Sequence, residues 1–174
     1  MKIRSLRLNN YRQFYGEHEI QFSTDPGRPI TLILGDMGYG KSNIMNAVCW
    51  TFWGDEPHLS MKHEAKGHAA EEFANGRALD EAGPGNAVEV EVEVRLVDDG
   101  GNECIIMRRA TATMDEAGAL SKHDPPATML YDIGGSHVPI ASDEVEDRIT
   151  QIIPKDLRHL FLFNGETIHQ DVLE

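Results

Sequence analysis

A glycine-rich loop set between two apolar segments constrains the fold of this chain of 174 residues more than any other feature. The loop, residues 35–42, reads Gly35-Asp36-Met37-Gly38-Tyr39-Gly40-Lys41-Ser42. The almost wholly apolar run of residues 30–34 precedes it and predicts a strand buried on both faces. After the loop, apolar residues recur at three- and four-residue spacings that predict a helix stopping at Gly54: Ile44, Met45, Val48, Cys49 and Phe52.

This glycine loop fits the Walker A pattern, and its strand–loop–helix context fits as well. Glycines let the backbone curl so that several amides point at phosphate oxygens, and the helix N-terminus adds a positive partial charge. We expect Lys41 to reach the β- and γ-phosphates and the Ser42 hydroxyl to bind Mg²⁺. The pattern predicts nucleotide binding but leaves the reaction class open, because kinases, GTPases and motor ATPases all share it.

Composition and charge bear on the number of domains, on nucleic-acid binding and on the location of the protein. The length suits one domain, and the formal net charge of −13 argues against a surface devoted to nucleic acid. Basic residues nevertheless concentrate in the first twelve positions, so DNA contact stays open, and we interpret the acidic runs of residues 64–93 and 143–147 as solvated faces and loops. No apolar run is long enough for a membrane span and no signal peptide is evident, which predicts a cytoplasmic protein with reduced, buried Cys49 and Cys104.

Alternating patterns predict several antiparallel strands. Ile3, Leu6, Leu8 and Tyr11 indicate a first strand, and residues 19–22 a second that pairs back after a turn near Gly16. Residues 87–96 alternate strictly, with valines on one face and charges on the other. They predict a hairpin through residues 98–101 to a partner strand at 103–110. A second hairpin is predicted from residues 129–132 to 137–140.

The remaining segments give weaker signals. Residues 58–86 predict a loop with one short helix near 69–74. Ser142 is expected to cap a helix that Pro154 ends, and residues 160–163 read as a last strand before Asn164. Trp50 and Trp53 are interpreted as core residues, and the nearby His58, His63, Glu64 and His68 as part of a solvated loop rather than a metal site.

A catalytic ATPase site also needs an acid that holds Mg²⁺ and a group that orients water. Residues 94–99 resemble an apolar strand ending in acids, but the following Gly100-Gly101 favours a hairpin turn. Residues 132–136 loosely resemble an ABC signature sequence, yet they lie between two predicted strands. The chain is therefore predicted to carry half of a catalytic site.

Three segments resemble the N-terminus of SMC, Rad50 and RecF-type ATPases: residues 10–16 (Asn-Tyr-Arg-Gln-Phe-Tyr-Gly), residues 20–23, and the glycine loop continuing through Asn43. Residues 162–168 resemble a segment typical of the DndD branch, which is associated with DNA phosphorothioation. The resemblance implies an α/β P-loop NTPase fold of the ABC and SMC-head type, with a mixed central sheet and an antiparallel β lobe at about residues 87–140. Residues 1–174 would then form the N-terminal lobe of a split head, truncated before its coiled coil and C-terminal lobe.

The resemblance also implies site residues and partners. Lys41 and Asn164, the latter in a Q-loop-like segment at 160–168, would be catalytic, and Ser42 and Asn164 would contact Mg²⁺. Nucleotide-binding residues would be Arg12, Gly35, Asp36, Gly38, Tyr39, Gly40, Lys41, Ser42 and Asn43. The implied ligands are ATP and Mg²⁺. The implied partners are the C-terminal half of the head, a second head in an ATP-dependent dimer, DNA, and other DNA-modification or defence subunits.

Two departures keep alternatives open. Met37 stands where the family usually has Asn, and Asn164 where the DndD pattern has Asp. A nucleotide-binding assembly module without turnover therefore remains possible beside an ATPase acting in DNA modification, defence or repair. A P-loop phosphotransferase is the third candidate, although the sequence offers neither its acidic base nor its substrate cleft. Arg108 and Arg109 lie on opposite faces of one strand, so at most one of them meets DNA phosphate.

Overall fold

A computed structural model describes residues 1–56, 73–123, 125, 127–133 and 136–157. The described helices are α1 (Lys41–Trp53), α2 (Gly76–Ala82) and α3 (Val145–Ile152), and a 3₁₀ turn follows at Lys155–Leu157. The strands are β1 (Lys2–Tyr11), β2 (Phe14–Gln21), β3 (Ala87–Val97), β4 (Glu103–Met114), β5 (Leu120–His123), β6 (Thr128–Ile133) and β7 (Ser136–Pro139).

These strands form a single sheet in the order β2-β1-β3-β4-β6-β7, with β5 added beside β4. Every pairing described is antiparallel, and the predicted antiparallel lobe at about residues 87–140 is continuous with this sheet; no parallel pair of the predicted mixed sheet lies within the described residues. Both predicted hairpins are confirmed, and β3 pairs with β4 without interruption from Ala87↔Thr113 to Val97↔Glu103. The hairpins continue the same sheet because β3 also pairs with β1.

Residues 30–34 are not a strand, which corrects the prediction of a buried one. The side chains of Ile30 and Leu34 are each 82% exposed and that of Leu32 is 76% exposed. A strand buried on both faces needs a neighbouring strand at each edge and cover on each face. The described residues provide neither for this segment, so its apolar side chains meet solvent.

The core lies between one face of the sheet and α1. Alternate residues of β3 point into it, and Val90, Val92 and Val94 have no exposed surface. Tyr11 stacks on Trp50 with ring centroids 5.7 Å apart, which packs the end of β1 against the last turn of α1. The interpretation of Trp50 as a core residue is confirmed, and so are the helix and its stop at Gly54. The second half of α1 is buried on nearly all sides, including Asn46 and Thr51.

The opposite face of the sheet is built from ion pairs, not from freely solvated acids as predicted. Glu91 and Glu93 are only 8% and 7% exposed. Arg7 donates to both carboxylates, at 2.9 and 3.1 Å, and Arg109 donates to Glu91 at 2.5 Å. The arginines cover the acids because neighbouring antiparallel strands bring opposite charges into register.

The turn between β1 and β2 comes earlier than predicted. Tyr11 pairs with Phe14, so Arg12 and Gln13 form the turn, while Gly16 lies in a bulge of β2, where Tyr15 and Gly16 stand opposite the single residue Asn10 of β1. Asn10 and Arg12 both have φ of +50°, an unusual conformation for side-chain-bearing residues. The Asn10 side chain stabilises the bulge by accepting a hydrogen bond of 2.9 Å from the Gly16 amide.

Other elements differ in smaller ways. β5 and α2 were not predicted, and Asn75 caps α2 by accepting from the Ala78 amide. α3 begins at Val145 and no side chain caps it in the described structure, so the predicted Ser142 cap is wrong; its end before Pro154 is confirmed. The helix predicted near 69–74 lies largely outside the described residues, and Ala74 forms an isolated bridge with Tyr11. None of the helices in the described ranges is long and apolar enough to span a bilayer.

Candidate functional site

The glycine loop lies on the surface and leads directly into α1. Gly38 and Gly40 have φ of +86° and +93°, values that a side chain would strain. Met37 is 96% exposed, so this unexpected residue points into solvent and leaves the loop's course unobstructed. The Lys41 ammonium folds back and donates to the carbonyl oxygens of Gly35 and Asp36, at 2.6 Å each.

The N-terminus of α1 offers free donors beside this lysine. Gly40 occupies the N-cap, and in the described structure no side chain caps the helix and no acid lies in its first turn. The amides of Asn43 and Ile44 turn inward and bond to the Gly40 carbonyl at 2.9 and 3.1 Å. The first amides of a helix have no acceptor within the helix, so the Lys41 and Ser42 amides carry a positive partial charge that favours an anion.

Two adjoining clefts flank this helix end. A cleft of about 260 Å³ is lined by Gln13, Met37, Gly38, Gly40, Lys41, Ser42 and Asn43. A cleft of about 420 Å³ shares Gln13 and Asn43 with it and extends past Arg12 to Leu79, Met114 and Leu120. The first is lined by glycines and by Lys41, Ser42 and Asn43, residue types that suit a phosphate site, and the second includes several apolar residues.

Gln13 lines both clefts. Its side-chain oxygen accepts from the Asn43 amide group at 2.5 Å, and its nitrogen makes a long contact of 3.5 Å with the Gly38 carbonyl. A Cβ atom on Gly40 would come within 2.7 Å of the Gln13 amide nitrogen. Gln13 thus packs directly over the loop.

Arg12, predicted to lie near the nucleotide, is held by an acid from the far end of α1. Its guanidinium donates to both carboxylate oxygens of Glu56, at 2.8 and 2.5 Å. The Tyr11 hydroxyl donates to the same carboxylate. Burial, followed by the Glu56 charge, raises the pKa of the Tyr11 hydroxyl well above its ordinary value. No sequence motif marks Glu56, which lies two residues after the helix stop.

The predicted site residues therefore divide into three groups. The structure brings the glycine loop and Asn43 together with Gln13, and it places Arg12 on the wall of the neighbouring cleft. Asn164 and the segment 160–168 lie outside the described residues, as do His58, His63, Glu64 and His68. Within the described ranges no group of three His, Cys, Asp or Glu side chains could hold a metal ion.

Both segments that resemble catalytic motifs lie at strand ends, as predicted, with residues 134 and 135 outside the described residues. Asp98 accepts from the Asn102 side chain and from the amides of Asn102 and Gly100, and these bonds lower the pKa of its carboxyl. Asp98 thus builds the β3–β4 turn. Asp132 pairs with His137 in the β6–β7 hairpin. Arg108 bonds to the Pro125 carbonyl at 3.2 Å while Arg109 bonds to Glu91, which confirms their opposite directions.

Comparison with known proteins gives the following matches. A family model described as AAA domain matches residues 5–167. The chain is 38% identical over 61 residues to the SbcC component of the nuclease SbcCD from Pseudomonas aeruginosa, covering 34% of this chain and 5% of that protein. It is 32% identical over 123 residues to the protein of the same name from Rhodobacter capsulatus, covering 67% of this chain and 10% of that protein. The chain thus spans a tenth or less of these relatives.

Proposed function

The chain belongs to the AAA domain family, and from that membership we propose that its glycine loop binds Mg-ATP as part of an SMC/Rad50-like ATPase head. The observation that carries the proposal is the pairing of an uncapped α1 N-terminus with the Lys41 ammonium beside it. Backbone amides and a lysine converging on one small cleft are the groups that recognise the β- and γ-phosphates. Lys41 would exchange its two carbonyl partners for phosphate oxygens.

Magnesium fits this site through a single protein ligand. The Ser42 hydroxyl is exposed at the start of α1 and lines the same cleft as Lys41. Mg²⁺ at nucleotide sites usually takes one or two protein oxygens, with phosphate oxygens and water completing its shell. When bound, the ion would neutralise phosphate charge, while Ser42 would orient it and the α1 amides would hold the phosphates. Asn164 remains a proposed second contact.

We further propose that a C-terminal half of the head completes the site. The exposed apolar side chains of residues 30–34 support this, because they lie directly before the loop and lack cover from the described residues. An exposed apolar segment of this kind marks an interaction surface. No Asp or Glu side chain in the described ranges is identified as the group that orients the attacking water. This is expected if the catalytic site is shared between two halves or two heads.

The wider role is proposed from the relatives. Two of them are named as components of a nuclease, which supports a role for ATP hydrolysis in DNA repair, modification or defence. Assignment to the DndD branch rests on residues 162–168 alone. DNA and a second head are the proposed partners, with a cytoplasmic location. A binding-only module is the second candidate, favoured by Met37, whose side chain cannot hydrogen-bond to phosphate.

Steady-state ATP hydrolysis separates these candidates. We would measure turnover by this chain alone and mixed with the C-terminal half of a head, with Lys41→Ala as the inactive control. Turnover that appears only in the mixture and disappears with Lys41→Ala supports the split ATPase. ATP-dependent association without turnover would favour the binding-only module. Substantial turnover by the chain alone would refute the split site, because all catalytic groups would then lie in these residues.

A further inference from the structure

Gln13 is exposed to solvent, yet its side chain meets the glycine loop at three places. It accepts a hydrogen bond from Asn43 at 2.5 Å, approaches the Gly38 carbonyl at 3.5 Å, and covers the Cα of Gly40. We propose that Gln13 is a positioning residue that holds the glycine loop in its phosphate-accepting shape and thereby sets nucleotide affinity. The part of this inference that concerns nucleotide affinity rests on the proposed function.

The first support is that hydrogen bonds and an ion pair fix the turn that carries Gln13. The Arg12 amide donates to the Phe73 carbonyl at 2.7 Å, and the Asn75 side chain donates to the Arg12 carbonyl at 2.5 Å. The ion pair with Glu56 fixes the Arg12 side chain as well. Because its backbone is already fixed by these contacts, Gln13 loses little conformational entropy when its side chain contacts the loop.

The second support is the path from Gln13 into the core. The Asn43 side chain donates to Gln13 and accepts from the Asn46 side chain at 3.0 Å. Asn46 is 1% exposed and lies on the buried part of α1. Asn43 is therefore fixed on one side by the core and on the other by Gln13, which orients the first turn of α1 relative to the loop.

The third support is steric. Gly40 has φ of +93°, and any Cβ there would meet the nitrogen of Gln13 at 2.7 Å and two of its carbons at 3.0 Å. A methyl group at position 40 would thus displace Gln13 as well as strain the backbone. Part of the effect of Gly40→Ala should therefore pass through Gln13, and removing Gln13 first should reduce that effect.

Two measurements test the proposal in the intact chain: the Kd for Mg-ATP, and amide hydrogen exchange of residues 38–43 without nucleotide. We expect Gln13→Ala to weaken ATP binding and to accelerate exchange, each about five- to tenfold, as expected for losing one net hydrogen bond and its packing. Gln13→Met keeps the length but not the hydrogen bonds and should resemble Gln13→Ala. The exposed Gln21→Ala on β2 is the matched control and should equal wild type.

The double variant supplies a readout that general destabilisation would not produce. Gly40→Ala should weaken binding less in the Gln13→Ala background than in wild type, so the two effects are less than additive. Exchange and Kd of Gln13→Ala within twofold of wild type would overturn the proposal, as would full additivity. If wild type itself failed to bind ATP, the proposed function would fall, while the exchange rates would still decide whether Gln13 holds the loop.

Discussion

Arg12 and Glu56 form a two-pronged ion pair between the β1–β2 turn and the chain just beyond α1, with N–O distances of 2.8 and 2.5 Å. Their side chains are 12% and 8% exposed, so the pair is largely removed from water. Because α1 begins at the glycine loop, this pair fixes the far end of the helix to the turn that also carries Gln13. The loop and the turn are thereby held in one framework.

Glu56→Ala should destabilise the fold strongly, because it leaves the Arg12 guanidinium and the Tyr11 hydroxyl without their shared acceptor. Removing one partner of a buried pair costs about 3 kcal/mol in the free energy of unfolding. Urea denaturation measures this change. The exposed pair of Arg77 and Glu81 on α2 supplies the control, since Glu81→Ala should change the urea midpoint far less than Glu56→Ala. Equal losses in the two variants would contradict the assigned role of Glu56.

Cys104 should make the fold sensitive to alkaline pH. Burial raises the pKa of its thiol from 9.0 to about 11, against a smaller lowering by the Tyr131 hydroxyl. The unfolded chain therefore loses this proton at lower pH than the folded chain. The contribution to stability is complete below pH 9 and is lost as pH rises toward 11.

The measurement is the free energy of unfolding of wild type and Cys104→Ala between pH 8 and pH 10, roughly spanning the ordinary thiol range. Wild type should lose stability above pH 9 more steeply than the variant, and the native thiol should react slowly with a thiol reagent at pH 8. Parallel pH profiles, or rapid labelling of native Cys104, would show that the thiol is not buried as described.

Leu32 and Leu6 should respond differently to truncation, although both lie in segments that the sequence predicts to be strands. Leu6 has no exposed surface, and Leu6→Ala should cost about 2 to 5 kcal/mol. Leu32 is 76% exposed, so Leu32→Ala should leave the urea midpoint of this chain unchanged. A large loss of stability on Leu32→Ala would mean that residues 30–34 are buried within the chain itself.

Sequence patterns correctly predicted those strands whose pairing partners lie nearby in the sequence. The strict alternation of residues 87–96 identified β3 because its hairpin partner follows after a short turn. The same reasoning failed for residues 30–34. An apolar run indicates that a segment is suited to burial, but it does not identify the element that would bury it. It also misplaced the β1–β2 turn, since Gly16 serves a bulge while Arg12 and Gln13, neither a usual turn residue, make the turn.

The glycine loop was predicted from its motif, because phosphate binding requires that spacing of glycines, lysine and serine. Glu56 carries no such mark: it meets Arg12 across 44 residues of sequence, and only the packing of α1 against β1 brings them together. Gln13 is similar, since an exposed glutamine has no distinguishing pattern until its contacts with Asn43 and Gly40 are seen. The roles of Arg12 and Asn164 toward nucleotide remain predictions.

The central claim is that the glycine loop binds the phosphates of Mg-ATP through Lys41, and equilibrium titration of the chain with ATP tests it most directly. Lys155→Ala is the matched control, because this exposed lysine pairs with Asp55 at the opposite end of α1. Lys41→Ala should weaken binding at least about tenfold, as expected for losing a charged hydrogen bond, with Lys155→Ala unchanged. Equal affinity of wild type and Lys41→Ala, or no measurable binding by wild type, would contradict the account.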